Sequence, residues 1–185
     1  DCDKRLTDLN EDVLEDRDIE WADLVMIGAM AVQSASVEQV IERCRGKTIV
    51  AGGPLFTEEP ERFPEVDHLV LNEAEITLPE FIRDYREGRP GRIYTTTRFA
   101  DILQTPLPDY SLLRLNQYAM AGIQYSRGCP FDCEFCDITA LFGRRVRTKS
   151  PQQVTAELDV LYRAGWKGSV FFVDDNFIGH KRKLK

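Results

Sequence analysis

Residues 121–137 read AGIQYSRGCPFDCEFCD. The first part, Ala121–Ser126, is a run of strand length. It leads straight into three cysteines, Cys129, Cys133 and Cys136, with three residues between the first two and two between the last two. Just downstream, SPQQVTAELDVLYRAG predicts a helix, with Ser150 as N-cap, Pro151 at the first helical position and Gly165 as its stop. Its apolar stripe is Val154, Leu158, Leu161 and Tyr162. SVFFVDD (Ser169–Asp175) then reads as a buried strand ending in two carboxylates. Strand, cysteine loop, helix and strand make one βαβ unit with parallel strands.

Working towards the N-terminus, residues 88–121 carry Pro90, Pro106 and Pro108 with little periodicity, and residues 89–120 are expected to be a linker. Before it, strand and helix alternate. ADLVMIG (Ala22–Gly28) is a short apolar strand, followed by a helix with Val37, Val40, Ile41 and Cys44 on one face and Ser36 as its cap. KTIVAGGP is a strand running into a glycine turn, DHLVLNEAE another strand, and LPEFIRDYREG a helix with Leu78, Phe81, Ile82 and Tyr85 together. KRLTDLN (Lys4–Asn10) is a candidate for one further strand. The expected fold is thus α/β: a partial doubly wound domain over residues 1–88, then the first βα units of a second domain from 121 to 185.

Composition agrees with globular structure: of 185 residues, 43% are hydrophobic and 30% charged. No apolar run reaches the ~20 residues of a membrane span. The acidic, polar N-terminus resembles neither a signal nor a transit peptide. The net charge of −7 argues against nucleic acid as the main partner. That charge is uneven, since residues 1–100 hold 12 basic and 22 acidic side chains and residues 101–185 hold 12 and 9, again suggesting two units. GRRVRTK (Gly143–Lys149) and the tail HKRKLK (His180–Lys185) are basic surface or a phosphate patch. The chain opens without Met and ends inside that basic run, as an internal portion of a longer protein would.

Five cysteines with no sign of secretion point to a reducing, cytoplasmic setting, where a tight cluster reads as a metal or redox site. Cys44 reads as core and Cys2 as uninformative. Thiolates bind soft metals, and spacings of two or three residues let one loop wrap one centre. Structural zinc wants four ligands, and ferredoxin-type clusters a fourth cysteine. His68 and His180 are far away in sequence. Three thiolates on a four-iron cluster leave one iron open, and an open position marks a reactive site. A zinc-stabilised binding module is the competing reading.

CPFDCEFC resembles the CxxxCxxC motif of the radical S-adenosylmethionine superfamily, on the loop after the first strand of its partial TIM barrel. The resemblance implies a 4Fe-4S cluster on Cys129, Cys133 and Cys136, with S-adenosyl-L-methionine on the open iron. One-electron cleavage there would yield methionine and a 5′-deoxyadenosyl radical that abstracts hydrogen from unreactive carbon. It further implies that Phe135 packs by the adenine and that Asp174 or Asp175, in FVDDNF, holds the methionine amino group. Asp137 and the Arg144–Arg147 stretch are further candidates for contact with cluster or cofactor.

A doubly wound unit ahead of such a barrel is similar to the cobalamin-binding subgroup, and the run from Cys129 to FVDDNFIG most resembles hopanoid C-methylase-like proteins. The likeness implies that Gly52 and Gly53, in AGGP, and Gly28 line the cobalamin site. NEAE (Asn72–Glu75) resembles a GEGE-like motif, although Glu73 and Glu75 equally suit a helix N-terminus. Two departures stand out. Gly28 replaces the serine of a Ser-x-Leu contact, and no DxHxxG motif supplies an axial histidine. The implied activity is methylation of an unactivated carbon in a small-molecule or lipid substrate, fed by an electron donor such as flavodoxin or ferredoxin. Rearrangement, cyclisation and methylthiolation remain alternatives within the class. Only two of about six barrel strands are present, so the 185-residue chain alone is expected to be inactive.

Overall fold

The computed structural model describes residues 2–177. The basic tail from His180, and its reading as a phosphate patch, lie outside the described residues. The chain divides into two compact units, one of residues Glu15–Ala100 and one joining the first 14 residues to those from Asp101 onward.

The first unit runs α1 (Asp16–Trp21), β1 (Leu24–Gly28), α2 (Ser34–Arg43), β2 (Thr48–Gly52), α3 (Pro54–Glu58), β3 (His68–Val70), α4 (Ala74–Arg86) and β4 (Ile93–Tyr94). Its strands form one parallel sheet in the order β1-β2-β3-β4, with Ile27 opposite Ala51, Gly52 opposite Val70 and Val70 opposite Tyr94. Ile49, Val50 and Ala51 are consecutive and all buried. Neighbours on a strand face opposite ways, so both faces of β2 are covered, the mark of an α/β parallel sheet. Helix α4 presses Phe81 and Leu78 onto Val50, Val70 and Tyr94. Phe81 meets Tyr94 edge-on with ring centres 5.6 Å apart.

Local sequence explains most of these elements. Cys44 is fully buried, and burial pushes its thiol above the ordinary value. Ser36 does not cap α2: the helix begins at Ser34, and the Ser36 hydroxyl donates to the Gln33 carbonyl at 2.8 Å. The stretch expected to be a linker contains β4, too short to leave a periodic signal, and buries Ala100 and Ile102.

The second unit holds β5 (Met120–Ile123), β6 (Ser126–Arg127), α5 (Ile138–Phe142), β7 (Arg147–Thr148), α6 (Pro151–Arg163) and β8 (Ser169–Phe172). Strands β5 and β8 pair in parallel, Ala121 opposite Val170 and Ile123 opposite Phe172. Helix α6 starts as its sequence predicts. Ser150 Oγ accepts from the Gln153 N–H at 3.2 Å, and the Gln153 side chain accepts from the Ser150 N–H at 2.9 Å. Strand β8, by contrast, is not buried, with Phe171 57% and Val173 48% exposed nearby. A two-stranded sheet leaves β8 with a free edge, and the described residues do not cover its apolar side chains.

KRLTDLN forms no strand. The segment is held instead by Asp8, which accepts from the Tyr118 hydroxyl at 2.8 Å, and by an Arg114–Asp12 ion pair. Burial, with the Asp8 hydrogen bond second, pushes the Tyr118 phenol up to about 12 from its ordinary 10.0.

An ion pair between Lys149 and Glu157 joins the residue after β7 to α6, with the two side chains only 5% and 3% exposed. Removing one partner strands the other charge, so Lys149→Met should cost about 3–5 kcal/mol in urea unfolding. Lys149→Met/Glu157→Leu should recover most of that loss; recovery of none would show that the pair matters beyond charge compensation. Tyr118 binds its proton more tightly folded than unfolded. Its contribution is therefore full below pH 10 and is lost as pH rises towards about 12. Tyr118→Phe should remove that alkaline component, measured as the pH dependence of the unfolding midpoint.

Candidate functional site

The three cysteines lie on one excursion of the chain, residues 128–146, which leaves at β6 and returns at β7. Its neck is a small antiparallel ladder pairing Ser126 with Thr148 and Arg127 with Arg147. The ladder continues where the Lys149 N–H donates to the Tyr125 carbonyl at 2.8 Å. At the mouth of the excursion the Cys129 N–H donates to the Gly143 carbonyl at 3.1 Å.

Gly128 makes this closure possible. It sits at φ +87°, and a Cβ there would lie 2.6 Å from the Arg145 carbonyl oxygen and 3.0 Å from those of Gly143 and Phe142. No L side chain fits such an approach. Gly128 is a functional residue that composition and spacing leave unmarked, although a glycine immediately before the first cysteine is a visible signal.

The two carboxylates after β8 separate in role. Asp174 accepts from the N–H groups of Tyr125, at 3.1 Å, and Ser126, and from the Ser126 hydroxyl. Its oxygens are spent on the root of the cysteine excursion. Asp175 is left exposed to solvent. Partial desolvation, with the neighbouring Asp174 charge in a lesser part, pushes its carboxyl above the ordinary value. Asn176 turns back towards the excursion, its Nδ2 donating to Cys129 Sγ at 3.4 Å. Phe177 packs on Tyr125 and Phe172, ring centres 5.6 and 5.2 Å apart, and fixes the turn.

All three cysteines are free thiols; Cys133 is exposed and Cys129 and Cys136 are half-buried. Among the described residues no three His, Cys, Asp or Glu side chains form a group able to hold a single metal ion. An iron–sulfur cluster presents a separate iron to each thiolate, so its ligands stand farther apart than those of a single ion. Three thiols on one loop with a fixed neck suit such a group. Phe135 stands 90% exposed beside Cys136. Asp137 precedes α5, where its carbonyl accepts from the Ala140 and Leu141 N–H groups. Arg144 pairs with Asp132, inside the motif, at 2.6 Å. That partner's hydrogen bond and charge hold the Asp132 carboxyl below the ordinary value.

In the first unit, Gly28 and Gly52 face each other at the carboxyl ends of β1 and β2, and Gly53 follows. A Cβ on Gly52 would meet the Val70 carbonyl oxygen at 2.6 Å, and Gly53, at φ +92°, would meet the Ala29 carbonyl oxygen at 3.0 Å. Both glycines are demanded by the sheet itself. Around Gly28 there is nothing within 4 Å of a would-be Cβ. In NEAE, Asn72 takes φ +64°, a conformation glycine favours and asparagine tolerates. Glu73 is buried and accepts from the Ala100 N–H, which makes it a structural anchor. His68 Nδ1 lies 2.7 Å from the Gly91 carbonyl oxygen, and the ring packs on Phe81.

No protein-family model matches the chain. It is 43% identical over 185 residues to an uncharacterized methyltransferase of Synechocystis, covering 98% of this chain and 34% of that protein. It is 37% identical over 171 residues to the hopanoid C-2 methylase of Rhodopseudomonas palustris, covering 89% of this chain and 32% of that protein. The chain therefore spans about a third of the length of the curated relatives it matches. In fold it is similar to the radical S-adenosylmethionine methyltransferase TsrM of Kitasatospora setae, solved with tryptophan and a S-adenosylmethionine analog. That match has a TM-score of 0.66 at 18% identity and covers 88% of this chain and 39% of that one. A second TsrM structure, with cobalamin and a [4Fe-4S] cluster bound, matches with a TM-score of 0.60 at 17% identity, covering 87% and 39%.

The glycine geometry yields a contrast that thermal and urea unfolding can read. Gly52→Ala should destabilise by about 1–3 kcal/mol because it overpacks a backbone carbonyl. Gly28→Ala should stay within about 0.5 kcal/mol of the parent. Equal effects at the two positions would contradict the placement of β3 against Gly52.

Proposed function

Since this chain is homologous along nearly its whole length to about a third of two curated methyltransferases, we propose that it is the cluster-holding portion of a cobalamin-dependent radical S-adenosylmethionine methylase. The observation that carries the reading is the cysteine excursion itself. Three free thiols sit on one loop whose neck is closed by a ladder, a glycine that tolerates no side chain, and the Asp174 carboxylate.

Cys129, Cys133 and Cys136 would hold a 4Fe-4S cluster. When bound, the cluster with S-adenosyl-L-methionine would supply a hydrogen-abstracting radical, and cobalamin a methyl group. The protein's part is position and shelter. Phe135, exposed beside the last cysteine, offers a ring face to an adenine. Asp175, and not Asp174, is the carboxylate with oxygens free to accept from an ammonium, because those of Asp174 are taken by Tyr125 and Ser126. Gly28, with open space about it, lets a flat ring approach the backbone; Gly52 and Gly53 shape the same strand ends while serving the sheet.

The names of the relatives support methylation, and a small-molecule or lipid substrate in keeping with hopanoid C-2 methylase. Reduction of the cluster calls for a donor such as flavodoxin or ferredoxin, and a cytoplasmic setting keeps the thiols free. Among the described residues no helix is long and apolar enough to cross a membrane.

Oxygen-free preparation of the full-length protein should give about four irons and four sulfides per chain. Cys133→Ala should lose both. Zinc at one per chain without sulfide would instead establish the binding-module reading. Gly28→Val should weaken cobalamin uptake, followed by its absorption spectrum, while leaving the unfolding midpoint near that of the parent.

A further inference from the structure

Asn176 follows the two carboxylates after β8 and points its amide at a cysteine. Its Nδ2 lies 3.4 Å from Cys129 Sγ. The side chain is aimed by its neighbours: Asp174, two residues earlier, is tied to Tyr125 and Ser126, and Phe177, next in line, packs on Tyr125 and Phe172. The turn after β8 therefore holds the amide in place from both sides. Cys129 is held in turn through its own N–H, which donates to the Gly143 carbonyl. The donor and the backbone that carries the sulfur are thus both held, while Cys133 stands exposed.

We propose that Asn176 is a positioning and tuning residue for the cluster: its amide donates to the Cys129 thiolate and raises the cluster's reduction potential. The inference rests on the cluster reading above and adds to it. A thiolate that ligates iron has no proton to give, so the amide must be the donor. Hydrogen bonds to cluster sulfurs are one of the levers that set the potential. The bond strengthens as negative charge builds on sulfur, and one added electron increases that charge. It therefore favours the reduced state. Cys129 becomes electronically distinct from Cys133, whose sulfur faces solvent.

The test uses the full-length protein with its cluster assembled under oxygen-free conditions. At a fixed applied potential near the parent's midpoint, Asn176→Ala should show about a tenfold lower ratio of reduced to oxidised cluster. For a one-electron couple that corresponds to about 59 mV. Asn176→Leu, of similar size and without a donor or a charge, should give the same reading, and it decides the matter if the alanine variant retains no cluster. The parent's reduced cluster should also show a solvent-exchangeable proton coupled to its spin, absent from both variants. A merely structural role for Asn176 would alter neither ratio nor coupling once cluster content is matched. Unchanged ratios with full iron and sulfide overturn the inference and leave the proposed function standing. Zinc without sulfide in the parent overturns both.

Discussion

One carboxylate organises the second unit. Where β5 ends and the cysteine excursion begins, the Tyr125 and Ser126 N–H groups go to a side chain and not to a strand carbonyl. Asp174, just past the end of the neighbouring strand β8, accepts both and the Ser126 hydroxyl as well. Hydrogen bonds to a charged acceptor contribute about 1.5–3 kcal/mol each, more than neutral ones. This contact does more than tie two strand ends together. It fixes where the excursion starts, and through the rigid turn that follows it fixes where Asn176 meets Cys129. The ladder between β6 and β7 and the Lys149–Glu157 pair hold the returning limb. A firm neck with an open tip is what a loop must be if its thiols are to meet a guest without the fold having to rearrange.

The buried ion pair shows what that firmness costs. Lys149 and Glu157 are nearly inaccessible, and taking two charges out of water is expensive even when they meet. Apolar residues of similar volume would hold α6 as well or better. What a pair of charges adds is direction: Lys149 follows β7 and must be met by one residue on α6, so the register between loop and helix is set. Burial, with the Glu157 charge second, pushes the Tyr110 phenol above its ordinary value.

The legibility of the sequence follows the range of the interactions. Local signals were readable: the cysteine spacing, the Ser150–Pro151 start of α6, the apolar runs of β1, β2 and β5. Contacts between distant residues were not. Asp174 and Asp175 are neighbours of one chemical type, and only the location of Tyr125, 49 positions away, tells them apart. Gly52 and Gly53 resembled a ligand-lining pair, yet the atoms that exclude a Cβ belong to Val70 and Ala29. Glu157 shares the buried side of α6 with Leu161, yet nothing local announces that Lys149 is buried opposite it. β4 has two residues and no period, and it hid inside a proline-rich stretch. KRLTDLN was a strand candidate, but its anchor is Tyr118, 110 positions on from Asp8, and that contact replaces a sheet neighbour.

The carboxyl ends of parallel strands are where α/β folds take ligands, and there this chain consumes many of its own backbone donors. The Ala29 N–H goes to the Gly52 carbonyl at 3.3 Å, and the Leu55 N–H to the Ala29 carbonyl at 3.1 Å. Asn72 gives its N–H to Thr57 and takes the Thr95 hydroxyl and the Thr96 N–H on its side chain. In the second unit Tyr125 and Ser126 are spent on Asp174. These groups stabilise the strand ends and are therefore not free to grip a phosphate or carboxylate, as the N–H groups of an open glycine-rich turn would be. What remains in the second unit is its thiols, an exposed ring and the Asp175 carboxylate, and in the first the open ground around Gly28. Thiols suit soft metals and open ground beside a glycine suits a flat ring, whereas the strand ends of either unit, their donors already taken, suit small hard anions poorly.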